Sequence, residues 1–275
     1  MKYEIIKEYA DEKFRRISGV KRTTFNKMIE ILQAAYNAKH MRRGRKPKLC
    51  IEDMLLGTLS YLREYRTYAH IAASFGINES NMYRTIRWVE DTLIKEGTFS
   101  LPGRKALLKS EVEYEVILID ATESPIERPQ KKQRRYYSGK KKRHTLKTQV
   151  VVDKACGHII CLSFAKGKRH DFRLYKESKV RAKPETVIET DSGFQGILEL
   201  HSNSVLPKKR SKKHPLSKED KMRNRQISSE RVLNEHIIGR IKRFRILLER
   251  YRNRRKRFSL RFNLIAGICN FELVT

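Results

Sequence analysis

The hydrophobic pattern changes period near residue 100, and this change admits helices before that point and a sheet with helices after it. From Glu52 the chain reads EDMLLGTLSYLREYRTYAHIAASFGINESNMYRTIRWVEDTL, with apolar residues at helical spacing and two acids placed to favour a helix start. The pattern predicts a helix ending near Glu64 and a second from Arg66 to Phe75. Gly76 supplies the turn and Asn78 the cap, and a third helix runs from Glu79 to about Leu93. Helix, glycine turn and helix make a helix-turn-helix. Met82, Ile86 and Val89 belong to its core, and Ser80, Asn81, Arg84 and Arg87 are left to face a DNA groove. Trp88 is expected to pack against the preceding helices. The basic stretch Arg42 to Lys48 is a connector, equally compatible with a minor-groove arm and with a solvated linker. The loop Gly97 to Gly103 closes this all-helical domain, residues 1–100.

Residues 101–275 read differently. Tyr114 to Ile119 is a β-branched run ending on Asp120, and Thr145–Val152 and His158–Phe164 form a hairpin across the turn Asp153–Gly157. Thr186–Glu189 is a strand ending near Asp191. Asp171 caps a helix over FRLYKESK, and a long helical pattern runs from about Ser228 to Leu248. Strands first, then strand alternating with helix, predict an α/β domain with a mixed sheet and flanking helices. A carboxylate just beyond an apolar strand is either a turn cap or part of a site at the sheet edge. Small residues follow both, Ala-Thr-Glu-Ser after Asp120 and Ser-Gly-Phe-Gln-Gly after Asp191. Glu235 stands on a helix with Arg231 and Lys242 on the same face.

Charge narrows the partner. The chain carries 62 Lys and Arg against 31 Asp and Glu, a net charge of +31, and 43 of those basic residues follow residue 100. They concentrate in Arg128–Arg143, which holds no acid, in Lys208–Arg225, and in Arg250–Arg257. One charge run is ordinarily a solvated surface; three within one folded domain point to a polyanion, and Arg134, Arg135, Lys140 and Lys141 are the expected phosphate contacts. The four cysteines have neither CxxC spacing nor paired histidines, so no structural zinc is expected. No apolar run is long enough to cross a membrane, and with the scattered cysteines this leads us to expect a soluble protein in a reducing, cytoplasmic setting.

The order Asp120, Asp191, Glu235 in the contexts IDATES, ETDSGFQG and NEHIIGRIKRF, with GKRHDF between the first two, resembles the DDE transposases of bacterial insertion sequences. The branch it resembles has an N-terminal helix-turn-helix and is related to the PIF/Harbinger elements. The likeness runs from about residue 20 to 272. It implies an RNase H-like fold for the second domain, with Asp120, Asp191 and Glu235 as metal ligands. Arg231 and Lys242 become the flanking basic residues of the family's R-x3-E-x6-K signature. Ser228 departs from the tyrosine often found seven residues before the glutamate, and Asp171 is not a member of the triad.

Three carboxylates suit hard, oxygen-preferring Mg2+, for which Mn2+ can substitute. Two such ions support in-line displacement at phosphorus without a covalent protein nucleophile. The resemblance implies an endonuclease that binds double-stranded DNA, both transposon ends and target, as a homodimer or higher oligomer. The other readings are a DNA-binding regulator or domesticated transposase that binds without cutting, and an RNA-directed nuclease. The helix-turn-helix suits the DNA major groove better than the deep groove of A-form RNA.

Overall fold

The computed structural model describes residues 2–40, 47–109, 112–210, 215–230 and 232–274. They form two compact units. The first comprises residues 1–100 with Ile241–Glu249 and Lys256–Thr275, and the second comprises Leu101–Arg240 with Arg250–Arg255.

The first unit is helical: α1 (Tyr3–Ile6), α2 (Asp11–Ser18), α3 (Arg22–His40), α4 (Ile51–Arg63), α5 (Tyr68–Phe75) and α6 (Glu79–Glu96). The predicted helix-turn-helix is α4 to α6. Thr67 caps α5 by accepting from the His70 N–H, and Gly76 ends it at φ 67°, a left-handed conformation that glycine adopts without a Cβ clash. Asn78 occupies the cap position of α6 in extended conformation, but its side chain makes no capping hydrogen bond. Gly57 of α4 lets α6 approach, since a Cβ there would meet the Met82 thioether at 3.3 Å.

The second unit holds β1 (Val116–Pro125), β2 (Tyr137–Ser138), β3 (Arg143–Asp153), β4 (Ile159–Lys166), α7 (Asp171–Ser178), β5 (Val187–Thr190), β6 (Ser204–Val205), α8 (Lys218–Glu230) and most of α9 (Val232–Lys242). The sheet order is β2-β3-β1-β5-β6, with β4 also pairing β3. β1 runs antiparallel to β3 from Ile117↔Asp153 to Pro125↔Thr145, and parallel to β5 from Val116↔Val187 to Ile119↔Thr190. Ile117, Ile119, Val151, Ile188 and Tyr175 of α7 build the core on one face. This mixed sheet with flanking helices has the predicted RNase H-like character.

Three expectations differ from what is observed. Asp120 lies within a strand and not at its end, because the antiparallel ladder with β3 continues five residues past it. Helical structure begins earlier than expected, with α8 at Lys218, and α9 ends at Lys242, ahead of Phe244, which is fully buried and extended at ψ 99° before α10 (Arg245–Leu248). The chain's end, read from sequence as the last part of the second domain, packs within the first unit. There α11 (Phe258–Val274) is apolar around most of its circumference and needs enclosure on several sides. Gly267 lies so close to the Phe99 carbonyl that a Cβ would stand 1.8 Å from its oxygen.

Candidate functional site

Asp120 follows Ile119 and Asp191 follows Thr190, and Ile119↔Thr190 is the last parallel pair between β1 and β5. The two acids therefore stand side by side where β5 leaves β1. Strand alternation turns Asp120 to the face opposite Ile119, the face it shares with the fully buried Leu118. Asp120 Oδ1 accepts from the Ala121 N–H at 2.7 Å, and Asp191 Oδ1 accepts from the Gly193 N–H at 2.8 Å, so backbone donors orient both carboxylates. Each is half-buried.

Glu235 is an exposed residue in the first turn of α9, where Asn234 and Ile237 point inward. Among the described residues no three His, Cys, Asp or Glu side chains gather closely enough to hold a metal ion. The sheet thus brings Asp120 and Asp191 together and leaves Glu235 outside a three-acid cluster. The donors suit a hard divalent cation: adjoining carboxylates at a strand exit, with a third on a helix of the same unit. Of the basic residues flanking Glu235, Arg231 lies outside the described residues, and Lys242 is half-buried at the last residue of α9, within the first unit.

Two lysines, Lys147 buried and Lys154 half-buried, brace this end of the second unit. Lys154 Nζ lies 2.7 Å from both Glu189 Oε1 on β5 and Glu230 Oε2 at the end of α8. Its burial opposes the charged form, but the two carboxylates outweigh that and raise its pKa, while hydrogen bonding to Lys154 holds Glu230 below the usual carboxylate range. Lys147 Nζ lies 2.6 Å from Asp171 Oδ1 and 3.7 Å from Glu123 Oε1. Asp171 is therefore not the expected helix cap. His170 occupies the cap position, and Asp171, the first helical residue, pairs with β3. Its carboxylate also crowds the Asp191 turn, since a Cβ at Gly193 would sit 3.0 Å from Asp171 Oδ2 and 2.9 Å from Asp191 Oδ1.

On α6, Ser80, Asn81, Arg84 and Arg87 are all exposed, whereas Met82, Ile86 and Val89 are fully buried. Arg84 Nη1 donates to Asn81 Oδ1 at 3.2 Å, and Arg87 Nη1 donates to the Tyr83 hydroxyl at 3.3 Å. Trp88 is half-buried. Pro47, Lys48 and Leu49, the described end of the basic connector, line a groove with Asn81 and Arg84; residues 41–46 lie outside the described set. In the second unit Arg134, Arg135, Lys140 and Lys141 are exposed, as is most of Lys208–Arg225, of which residues 211–214 are not described. Sequence reading passed over the cations of Lys166–Arg173 that share a recess with Arg135, although the run Lys-Gly-Lys-Arg-His was visible.

Residues 119–270 match the DDE superfamily endonuclease family, and residues 47–99 match the helix-turn-helix of DDE superfamily endonucleases. The chain belongs to the DDE superfamily endonucleases. It is 47% identical over 273 residues to a probable transposase for insertion sequence element IS702 from Microchaete diplosiphon, with 99% of each chain covered. It is 26% identical over 235 residues to a putative transposase for insertion sequence element IS112 from Streptomyces albus G, covering 84% of this chain and 83% of that one. Among solved structures it is similar to the piggyBac transposase in a synaptic complex with hairpin DNA, at 12% identity and TM-score 0.46, covering 98% of this chain and 76% of that one.

Proposed function

We propose that this chain is an insertion-sequence transposase that binds the terminal inverted repeats of its element and carries out strand cleavage and strand transfer. The observation that carries the reading is the register of β1 against β5, which sets Asp120 beside Asp191 in a chain of the DDE endonuclease family. The family depends on divalent metal, and Asp120, Asp191 and Glu235 are the residues that would hold it. Mg2+, as two ions with Mn2+ able to substitute, suits an all-carboxylate donor set, and when bound it would supply activation of an attacking hydroxyl and stabilisation of the leaving oxygen. The backbone N–H groups of Ala121 and Gly193 fix the carboxylate orientations before metal or DNA arrives. Residues 1–100 act as the DNA-reading domain and 101–275 as the catalytic domain, with the terminal helices lending core to the former. Asn81 and Arg84 read base edges, with Ser80 and Arg87 beside them. Arg134, Arg135, Lys140 and Lys141, together with Arg231 and Lys242, neutralise phosphates. The protein works on double-stranded DNA as a homodimer or higher oligomer, on the cytoplasmic nucleoid. Among the described residues no helix is long and apolar enough to cross a membrane.

The test is strand cleavage of repeat-ended duplex DNA in Mg2+, assayed beside gel-shift binding. Asp120→Asn, Asp191→Asn and Glu235→Gln should each fall below about a hundredth of wild-type cleavage, since even outer-shell partners of a metal commonly contribute 10- to 100-fold. Binding should persist in all three. Wild-type cleavage in any variant removes that residue from the metal site, and cleavage in EDTA overturns the mechanism.

A further inference from the structure

We infer that the recess lined by Arg135, Lys166, Lys168, Arg169, His170 and Arg173 is a docking site for a DNA backbone phosphate flanking the one that reacts. The inference rests on the transposase reading and adds to it a site on the second unit. The recess measures about 520 Å3, and its lining contains five permanently charged cations, one histidine and no acid. Glu177 partly offsets two of them, reaching Arg169 Nε at 3.3 Å and Arg173 Nε at 3.1 Å. The other nearby carboxylate, Asp171, is engaged by Lys147. Positive charge is left in excess at a concave surface, where a phosphodiester can exchange hydration for several charge-assisted hydrogen bonds.

The recess is built on rigid backbone. Gly167 presses against β3 so closely that a Cβ would stand 2.0 Å from Thr145 Oγ1 and 2.7 Å from the Tyr136 carbonyl oxygen. Its N–H donates to the Thr145 carbonyl at 3.0 Å, the Lys168 N–H to the Arg135 carbonyl at 3.3 Å, and the Arg169 N–H to the Lys166 carbonyl at 2.8 Å. These bonds tie the cations after β4 to Arg135, which sequence places thirty residues away. Ordering is thus largely complete before the ligand binds, which lowers the entropic cost of binding.

Two further features select a polymer over a free anion. The Tyr136 ring has Lys166 Nζ 5.7 Å and the Arg255 guanidinium 4.8 Å from its centroid, and Arg255 lines a second groove with Arg254, Arg128 and Lys131. Basic recesses on either side of one aromatic ring, which holds a cation from each side over its face, make a track for successive backbone phosphates. The track also reaches the acids: His170 lines the recess, and its neighbour Asp171 shares Gly193 with Asp191.

The experiment uses the full chain and repeat-ended duplex DNA, measuring affinity against salt and mapping phosphates by ethylation interference. The triple variant Lys168→Ala, Arg169→Ala, Arg173→Ala should lower the slope of log affinity against log salt by about one unit, at about 0.9 for the one phosphate no longer neutralised. It should also erase interference at phosphates flanking the cleavage position, with repeat-over-random preference unchanged. The charge-keeping triple Lys168→Arg, Arg169→Lys, Arg173→Lys should restore the slope, which a folding defect cannot explain. If wild type binds and cuts repeat DNA while the alanine triple keeps the wild-type slope and interference pattern, the docking site is overturned and the transposase reading stands. An equal drop in slope in the charge-keeping triple also overturns it. If wild type neither binds nor cuts, the transposase reading itself fails.

Discussion

Arginines from one sequence run, Arg250–Arg257, have opposite fates in the two units. In the first unit Arg257 Nε lies 2.8 Å from Glu90 Oε2 and its Nη2 2.7 Å from Asp91 Oδ1. Arg261, one turn further, sits 2.7 Å from Glu90 Oε1 with its guanidinium 4.9 Å from the Tyr61 ring centroid. Glu90 is 0% and Arg261 1% exposed, so this is an interior ion network. Glu272 plays the same part, taking Arg243 at 2.6 Å, Arg15 at 3.3 Å and the Lys21 N–H at 2.6 Å. In the second unit Arg254 and Arg255 instead line a groove with Arg128, Lys131 and one acid, Glu127, so cations outnumber carboxylates there. The position of acids, and not the density of bases, decides which arginines are structural and which remain for a polyanion.

The sharpest way to break that comparison is to remove Glu90. A buried charge pair deprived of one partner commonly costs about 3–5 kcal/mol, because the remaining charge is left desolvated. Glu90→Ala strands two guanidiniums, so unfolding in urea should show a loss in that range. The buried thiols Cys269 and Cys161 report the two units separately. In Glu90→Ala, Cys269 should become reactive at lower urea while Cys161 keeps its wild-type onset. Arg255→Ala should shift neither onset measurably, since a surface substitution usually stays within about 0.5 kcal/mol. A stable Glu90→Ala protein would mean that the network is incidental.

How far sequence reading reached follows the same division between local and long-range causes. The helix-turn-helix was legible because its determinants are local: helical spacing, the left-handed Gly76, and inward Met82, Ile86 and Val89. β1, β3, β4 and β5 and the turn before Gly157 were legible for the same reason, whereas the two-residue strands β2 and β6 are too short to leave a pattern. The continuation of β1 past Asp120 was not, because it depends on pairing with the distant β3 residues Thr145–Gln149. Neither was the membership of α11, whose all-round apolar surface gives no face to assign and whose partner Phe99 lies far away in sequence. Asp171 looked like a cap because its buried partner Lys147 cannot be inferred from spacing. Of the proposed site, the identities of Asp120 and Asp191 and their places after β-branched runs were readable, whereas their adjacency comes from the parallel register.

A smaller effect separates base reading from phosphate contact. Arg84→Ala and Asn81→Ala should each weaken binding to repeat DNA by about 1–3 kcal/mol, the usual value of a good base contact, and weaken binding to random DNA much less. The two side chains are hydrogen-bonded to each other, so the double variant should lose less than the sum of the singles. The alanine triple of the second unit should show the reverse pattern, weakening both DNAs equally. Equal weakening on both DNAs for Arg84→Ala would move that residue from recognition to phosphate contact.

The smallest effect asks whether local acids outrank net charge at an exposed thiol. In a chain of net charge +31, seated at the N-cap of α4, Cys50 should on both counts have a depressed pKa. Instead burial of its sulfur pushes it up to about 11, with the negative charges of Asp53 and Glu52 adding and a backbone hydrogen bond from Asp53 opposing. Cys156 in the second unit is also raised, first by burial and then by its hydrogen bond to Asp153, whose Oδ2 lies 3.0 Å from the sulfur. Alkylation requires the thiolate, so Cys50 in a Cys156→Ser protein should react at pH 8 on the order of a hundredfold more slowly than a small free thiol. Its rate should rise about tenfold per pH unit up to pH 10, because the thiolate fraction grows in that proportion below the pKa. Glu52→Gln should raise the rate at pH 8 by removing one of the opposing charges. Reaction at the speed of a free thiol would show instead that the overall positive field governs this site, and the contrast between paired and unpaired charge would then not extend to the thiols.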